Sequence, residues 1–167
     1  MRGLEGEAWP DWSDEALNAD VEAWLAPALM SRARLRDVNV AEALANALPY
    51  ELRRKLDEDA PARFETPAGS SLRIDYAADA GPALDVRLQE LFGQDKHPSV
   101  ANGRAPLSLR LLSPAHRPVQ TTKDLPGFWR GSYAAVRSEM RGRYPKHPWP
   151  DDPLSAPPAR RAKPRGS

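Results

Sequence analysis

Histidine, serine and carboxylate side chains are the residues of this sequence that could do chemistry, and none of them forms a catalytic pattern. His97, His116 and His147 are separated by 19 and 31 residues, which matches no metal-ligand spacing. No serine lies in a G-x-S-x-G elbow, and the chain contains no cysteine. The adjacent carboxylates at residues 57–59 and 151–152 are typical of solvated charge. We therefore predict no catalytic residue, no metal site and no bound cofactor in this chain.

Cationic and aromatic side chains in the last third of the sequence indicate a different function, the binding of nucleic acid. Proteins that hold single strands without sequence preference use Lys and Arg to neutralise phosphates and aromatic rings to stack on unpaired bases. The candidate residues are Arg130, Arg137, Arg141, Arg143, Tyr144, Lys146, His147 and Trp149. An alternative stays open, because aromatic residues beside prolines also pack on a domain and fasten an extended segment. In that case Arg143 and Lys146 would pair with acidic groups of the N-terminal helices.

Residues 124–153 must position these side chains. Asp124 is a predicted N-cap, and Pro126 lies in the first turn, where its missing N–H costs least. Apolar residues then recur every three or four positions, on one side of a helix. The positions on this side are Phe128, Ser132 with Tyr133, Val136 and Met140. Gly142 is predicted to end the helix, and the prolines of residues 144–153 cannot continue it. The sequence therefore predicts a long C-terminal helix followed by an extended Pro-rich strap.

Helical periodicity dominates the first third of the chain. Residues 1–12 are predicted to be a loose leader, after which Ser13 is a helix N-cap. The predicted helices cover residues 14–26, 40–47 and 49–59. Pro27 is expected to interrupt the first helix, and Asn39 to cap the second. Together these helices form a predicted helical unit over residues 13–60.

The periodicity changes after residue 60. Strands are predicted at residues 63–66, 71–76, 107–112 and 119–122. The first two form a β-hairpin around a turn at residues 67–70. Residues 82–92 satisfy both the helical and the strand period, and their good helix formers favour a helix. Residues 95–106 are predicted to be a loop.

The predicted fold class is α+β. An N-terminal helical unit is followed by a small mixed or antiparallel sheet with helices on one face, a long C-terminal helix and the Pro-rich strap. The sheet domain is predicted to cover residues 61–153. Residues 154–167, which are rich in proline and basic side chains, are predicted to be a disordered basic tail.

Charge is distributed unevenly along the 167 residues, although the net charge is only +1. Residues 1–60 carry 7 basic and 13 acidic side chains, whereas residues 100–167 carry 13 basic and 4 acidic ones. This asymmetry indicates a negatively charged partner for the basic end, docking of the two ends, or simply solvated charge. No apolar run is long enough for a membrane span, and the first residues lack the apolar core of a signal peptide. We therefore predict no membrane partner and a cytoplasmic location.

Several sequence blocks are specific enough to indicate a family. The run R-G-R-Y-P-K-H-P-W-P at residues 141–150 follows F-W-R-G-S-Y and V-R-S-E-M, and residues 111–125 read L-L-S-P-A-H-R-P-V-Q-T-T-K-D-L. R-L-Q-E-L-F-G at residues 87–93 and E-T-P-A-G-S-S-L-R-I-D-Y at residues 65–76 extend the pattern. These blocks closely resemble the C-terminal region of HrpB-type ATP-dependent helicases, bacterial members of the DEAH-like superfamily 2 of RNA helicases. The resemblance covers most of the chain.

The resemblance implies the tail of a helicase without its motor. The sequence has no G-x-x-x-x-G-K-[ST] loop and no D-E-x-H run, so ATP and Mg²⁺ are expected only in the family's motor domains. The expected function is that of a C-terminal accessory domain, inactive alone, which docks on the motor in cis or in trans, contributes to the nucleic-acid path, or does both. The alternatives are a stand-alone module that binds single-stranded RNA or DNA and a structural protein-interaction domain.

Overall fold

The computed structural model describes residues 1–30 and 34–160, which form two compact units that meet in sequence between Ala60 and Pro61. The first unit is helical, and the second combines helices with small sheets. The α+β class predicted from the sequence is therefore confirmed.

The first unit consists of short helices separated by turns. Its elements are α1 (Arg2–Glu5), a 3₁₀ turn (Gly6–Ala8), α2 (Asp14–Ala19), α3 (Val21–Met30), a 3₁₀ turn (Leu35–Asp37), α4 (Val40–Ala47) and α5 (Tyr50–Asp59). Both predicted N-caps are present. Ser13 Oγ accepts a hydrogen bond from the backbone N–H of Ala16 at 3.3 Å, and Asn39 Oδ1 accepts one from Glu42 at 3.2 Å.

Three predictions for the first unit differ from the structure. The expected loose leader instead contains α1 and a 3₁₀ turn, because the buried Trp9 indole donates to the carboxylate of Glu5 at 2.7 Å. The helix expected to run to Ala26 instead breaks at Asp20, where the Trp24 indole donates at 3.1 Å to the carbonyl of Leu17. That carbonyl would otherwise accept the next N–H of a continuous helix. The following helix α3 then continues through Pro27.

The second unit begins with the predicted β-hairpin. Strands β1 (Arg63–Glu65) and β2 (Ser71–Arg73) are antiparallel, and Phe64 lies opposite Leu72. These two apolar side chains pack against the core of the unit, whereas their neighbours on the other face are exposed. The alternation of burial follows the two-residue period of a strand.

A three-stranded sheet is the centre of the second unit. Its strands are β3 (Ala83–Arg87), β6 (Ser108–Leu112) and β7 (Pro118–Thr122), in the order β3-β6-β7, with β6 parallel to β3 and antiparallel to β7. The predicted helix at residues 82–92 is therefore wrong. Buried Leu84 and Val86 flank exposed Asp85, which pairs with Arg110 on the neighbouring strand at 2.6 Å. A 3₁₀ turn, Leu88–Leu91, follows.

The predicted loop at residues 95–106 contains a second, very short hairpin. Strands β4 (Ser99–Val100) and β5 (Ala105–Pro106) pair antiparallel around three consecutive residues with positive φ. These residues are Ala101, Asn102 and Gly103, with φ of 53°, 53° and 84°. Strands of two residues are too short to show a period, so no sequence pattern predicts them.

The C-terminal helix is divided into α6 (Leu125–Arg130) and α7 (Tyr133–Arg143), whereas one long helix was predicted. Gly131 ends α6 with φ −110° and ψ −95°, and its N–H donates to the carbonyl of Gly127 at 3.0 Å. Glycine adopts such a backbone at low cost. Gly142, predicted to end the helix, instead lies within α7.

Residues 154–160 are ordered against the domain, which corrects part of the predicted disordered tail; residues 161–167 lie outside the described residues. The N–H of Gly93 donates to the carbonyl of Pro153, and the N–H of Ala159 to that of Gln89, both at 2.9 Å. Ala156 packs against the core. This segment therefore covers the turn that follows β3.

His97 connects the short hairpin to α6 through both of its ring nitrogens. The N–H of Leu125 donates to Nδ1 at 3.1 Å, so the ring proton lies on Nε2, which donates to the carbonyl of Leu107 at 2.8 Å. Both leucines are fully buried. The histidine therefore satisfies two backbone groups that water cannot reach.

Replacement of this histidine tests the connection. His97→Ala leaves a buried N–H and a buried carbonyl without partners, so we expect the free energy of unfolding to fall by about 1–3 kcal/mol. Urea denaturation followed by tryptophan fluorescence measures the loss. His116→Asn is the control, because His116 lies in an exposed turn with φ 58°, which Asn tolerates. A His97→Ala chain as stable as the control would contradict the assignment.

Candidate nucleic-acid interface

Helix α6 begins at the predicted cap and directs its aromatic residues inward. The carboxylate of Asp124 accepts a hydrogen bond from the N–H of Gly127 at 2.9 Å. Phe128 and Trp129 are buried, and the Trp129 indole donates to the carbonyl of Gln94 at 3.0 Å. The rings of Trp129 and Tyr133 then meet edge to face, with centroids 5.3 Å apart. This aromatic cluster fixes the positions of α6 and α7.

Side chains of the second unit hold the Pro-rich strap, residues 144–153, on the domain. The hydroxyl of Tyr133 donates to the carbonyl of Pro150 at 2.8 Å, and Arg137 Nε donates to the carbonyl of Trp149 at 3.2 Å. The Trp149 indole donates to the carbonyl of Tyr144 at 2.9 Å. Arg137 also forms an ion pair with Asp151. Because prolines donate no N–H, these side chains replace the backbone bonds that the strap cannot make.

Four of the eight predicted site residues are occupied by contacts within the domain. Trp149 is 8% exposed and belongs to the hydrophobic core, so its ring surface is already covered. Arg137 is held by the strap. Tyr144 is half-buried, with its hydroxyl 3.5 Å from Ser113 Oγ, and its ring meets His147 edge-on. For these residues the geometry favours the structural alternative over base stacking.

The other four predicted site residues, Arg130, Arg141, Arg143 and Lys146, are exposed. Arg143 pairs with Glu139 on its own helix at 3.3 Å, and the remaining three have no ion-pair partner within residues 1–30 and 34–160. Arg141 and Arg143 are two positions apart on α7, which separates their directions by about 200° around the helix axis. The structure therefore does not gather these cations on one face of α7.

Burial shifts the titration of two groups beside the strap. It raises the pKa of Tyr133 to about 12, so the phenol keeps the proton that it donates to Pro150 at a more alkaline pH than an ordinary tyrosine would. Burial also lowers the pKa of His147 below its usual 6.5, and the positive charge of Arg87 lowers it further. His147 is therefore harder to protonate in the folded chain than in the unfolded one.

The sequence analysis missed a second group of cations, on the β1–β2 hairpin. Arg63 and Arg73 lie directly opposite each other and are both exposed. Arg160 Nε donates at 2.7 Å to the carbonyl of Ala68 in the hairpin turn. The alternation of Arg63 with Phe64 and of Arg73 with Leu72 was the available signal. Phe64 is the one aromatic residue of these two strands, and strand alternation turns it to the opposite face, so the hairpin lacks the dense basic and aromatic mixture of residues 141–150.

Two other classes of site are absent from the part of the chain that the structure describes. Within it, no three His, Asp or Glu side chains come together in a way that would hold a metal ion. None of its helices is both long enough and apolar enough to cross a membrane.

The fold and the sequence blocks define the C-terminal domain of a class of helicases. A family model described as "ATP-dependent helicase C-terminal", HrpB_C, matches residues 24–153, which is most of the chain. The chain therefore belongs to the HrpB_C family, and the resemblance seen in the sequence is confirmed.

Relatives of known structure support this membership. The chain is 47% identical over 158 residues to the ATP-dependent RNA helicase HrpB of Escherichia coli K12, covering 93% of this chain and 20% of the relative. A crystal structure of the E. coli DExH-box NTPase HrpB matches with a TM-score of 0.86 and 46% identity, over 95% of this chain and 20% of that one. A second, of the E. coli DEAH/RHA helicase HrpB, matches with a TM-score of 0.70 and 43% identity, over 87% and 19%. The chain thus spans about a fifth of the length of these relatives.

A tryptophan substitution separates the two roles of the strap. Trp149→Ala removes a large buried side chain and one hydrogen bond, so we expect it to lower the free energy of unfolding by about 3–5 kcal/mol. Lys146→Ala, in the same segment but exposed, should change it by no more than about 0.5 kcal/mol. Chemical denaturation of both variants provides the comparison. Equal stabilities would show that the indole does not contribute to the core.

The lowered pKa of His147 predicts a dependence of stability on pH. As the pH falls below about 6.5, the unfolded chain takes up this proton first, so the folded state loses stability. His147→Asn should therefore lose less stability than the wild-type chain between about pH 7.5 and pH 5. Thermal unfolding at several pH values tests this, with His116→Asn as the exposed control. Identical pH profiles for His147→Asn and wild type would contradict the prediction.

Proposed function

We propose that this chain is the accessory C-terminal domain of an HrpB-type ATP-dependent helicase and that it docks on the motor through its first unit. Family membership and the one-fifth coverage of the relatives support a role as one part of a larger machine. ATP and Mg²⁺ would then be bound by the motor, since no residue of this chain matches the motor motifs. The chain alone contributes binding rather than catalysis.

The observation that carries this proposal is the apolar helix α3, Val21–Met30. Its sequence, V-E-A-W-L-A-P-A-L-M, has a single charged residue, yet none of its side chains is buried. A helix that is apolar on all sides normally lies inside a protein. Met30, the last residue of α3, is 91% exposed, and two further apolar residues, Leu35 and Val40, are 65% and 52% exposed. This surface has the character of a protein interface that a partner covers.

This surface contains a groove of about 260 Å³ between α3 and α4. Apolar groups from Trp24, Pro27 and Ala43 line it, and the polar residues Asn39 and Glu42 lie beside them. An apolar centre with polar groups around it is the usual arrangement of a protein–protein contact. The groove has room for one or two anchoring side chains of the motor.

A contribution to the nucleic-acid path is the second part of the proposal. The excess of basic side chains over residues 100–167 favours it, because a positive field attracts phosphates without specific contacts. Of the residues predicted for this role, only the exposed cations Arg130, Arg141, Arg143 and Lys146 have side chains open to such a ligand. The aromatic residues of the strap are engaged in the domain, so this path would rely on charge rather than on base stacking.

The docking role can be tested with the E. coli relative. Purified HrpB lacking its region of similarity to this chain should bind the chain in isothermal titration calorimetry. Met30→Asp with Leu35→Asp should weaken that binding at least about tenfold, because each places a charge in the apolar contact. Both side chains are exposed, so the double variant should remain folded by circular dichroism.

Two controls define the outcome of the docking experiment. Tyr50→Asp introduces the same charge at another exposed apolar residue, in the first turn of α5, where an acidic side chain is favourable. It should bind the motor like the wild-type chain. Full-length HrpB, whose own C-terminal region occupies the position, should bind weakly. Failure of the wild-type chain to bind the truncated motor would contradict the docking role.

A further inference from the structure

The outward face of the β1–β2 hairpin carries a cationic pair that the fold does not use. This hairpin face consists of Arg63, Glu65, Ser71 and Arg73, all exposed, while Phe64 and Leu72 point into the domain. Arg63 and Arg73 are direct cross-strand partners. Like charges in this position destabilise a sheet, so they contribute no stability that would explain their presence.

In residues 1–30 and 34–160, no carboxylate forms an ion pair with either arginine of the pair. Within the described residues, Arg73 has no hydrogen-bond or ion-pair partner, and Arg63 donates only to the side chain and carbonyl of Ser71. Glu65 lies on the same face but forms no ion pair with either arginine in that part of the chain. The contact with Ser71 orients one guanidinium while leaving its remaining N–H groups available.

The hairpin that presents the pair is anchored at its turn by a buried polar network. Thr66 Oγ1 donates to the carboxylate of Glu90 at 3.3 Å and accepts from the N–H of Ser70 at 3.0 Å. Glu90 is 3% exposed, and its charge is balanced by Arg87, whose Nη2 lies 2.7 Å from Oε1. The hairpin is thus fixed to the domain before any ligand binds, which limits the entropy that binding costs.

We propose that the hairpin face binds the phosphate backbone of a nucleic-acid strand through Arg63 and Arg73. The Cβ atoms of two directly opposed strand residues lie about 5 Å apart, so the two guanidinium groups can bind two neighbouring phosphates, one each. Ser71 adds a hydroxyl of the kind that commonly contacts phosphates. The face has no exposed apolar residue, which distinguishes it from a protein contact with a hydrophobic centre. The binding is independent of motor docking and recognises no base.

Fluorescence anisotropy with the whole chain tests this proposal. The probe is a labelled 12-nucleotide oligouridine, titrated at several NaCl concentrations between about 50 and 200 mM. For Arg63→Gln with Arg73→Gln, we expect weaker binding and a plot of log K against log salt that is less steep by about 1.4, at about 0.7 per phosphate contact. Oligothymidine of the same length should behave alike, because phosphates are common to both.

Two double variants with the same change of net charge provide the comparison. Arg53→Gln with Arg54→Gln, on α5, should leave the salt slope of the wild-type chain unchanged. Arg141→Gln with Arg143→Gln, on α7, asks whether the previously considered cations bind instead. Loss of the slope in either of these pairs rather than in the hairpin pair would overturn the proposal, as would the absence of binding by the wild-type chain at low salt. Unchanged thermal stability of the hairpin pair shows that any loss is one of contact.

A motor-binding measurement on the same hairpin variant separates the two hypotheses. Calorimetry with truncated HrpB should give the wild-type affinity, because the hairpin face is not part of α3. If motor binding is lost while oligouridine binding stays intact, the hairpin face is a protein contact and the phosphate assignment is wrong. If docking fails for the wild-type chain but the salt slope still depends on the hairpin pair, only the docking role is contradicted.

Discussion

The hydrogen bonds from α7 to the Pro-rich strap are the constraint on which the C-terminal part of the second unit depends. A strap rich in proline cannot form a ladder of backbone bonds, so its carbonyls need donors from elsewhere. Tyr133 and Arg137 supply them from one face of α7, and Trp149 inserts its indole into the core beside them. The burial of Tyr133 keeps its phenol protonated, so the donor persists over a wide range of pH. The cost is that these side chains are no longer free for a ligand.

Local signals predicted those elements whose stability is decided locally. The caps at Ser13, Asn39 and Asp124 act within three residues, and the β1–β2 hairpin follows from alternation around a turn. The helix prediction for residues 82–92 was wrong because their sequence fits both the helical and the strand period. The pairing of β3 with β6, which is distant along the chain, favours the strand. The break at Asp20 was not predicted for a similar reason, since the indole of Trp24 takes the carbonyl of Leu17 that a continuous helix would use.

In the candidate site, too, the sequence predicted the types of the residues but not their environment in the folded chain. The sequence identified basic and aromatic residues near the strap, but composition cannot show which side of a ring is covered. In the structure Trp149 is a core residue and Arg137 donates a hydrogen bond to the strap, whereas Arg141 and Lys146 are exposed. The hairpin arginines carried a weaker signal, because two cations ten residues apart in sequence are common on any surface. Only the register that places Arg63 opposite Arg73 makes them unusual.

The two units differ in the kind of partner that their surfaces suit. The first carries an excess of acidic side chains, so it repels phosphates, but α3 offers an apolar contact that does not depend on charge. The second buries most of its large apolar residues, with Tyr76 and Leu154 as exposed exceptions, and exposes cations, which attract phosphates but provide little area for a hydrophobic protein contact. With the two roles that we propose, this separation would be useful, because a motor on the apolar helix and a nucleic-acid strand on the hairpin would not compete for one surface. The proposed division would account for both features of the described residues, the exposed apolar helix in one unit and the arginine pair without an ion-pair partner in the other.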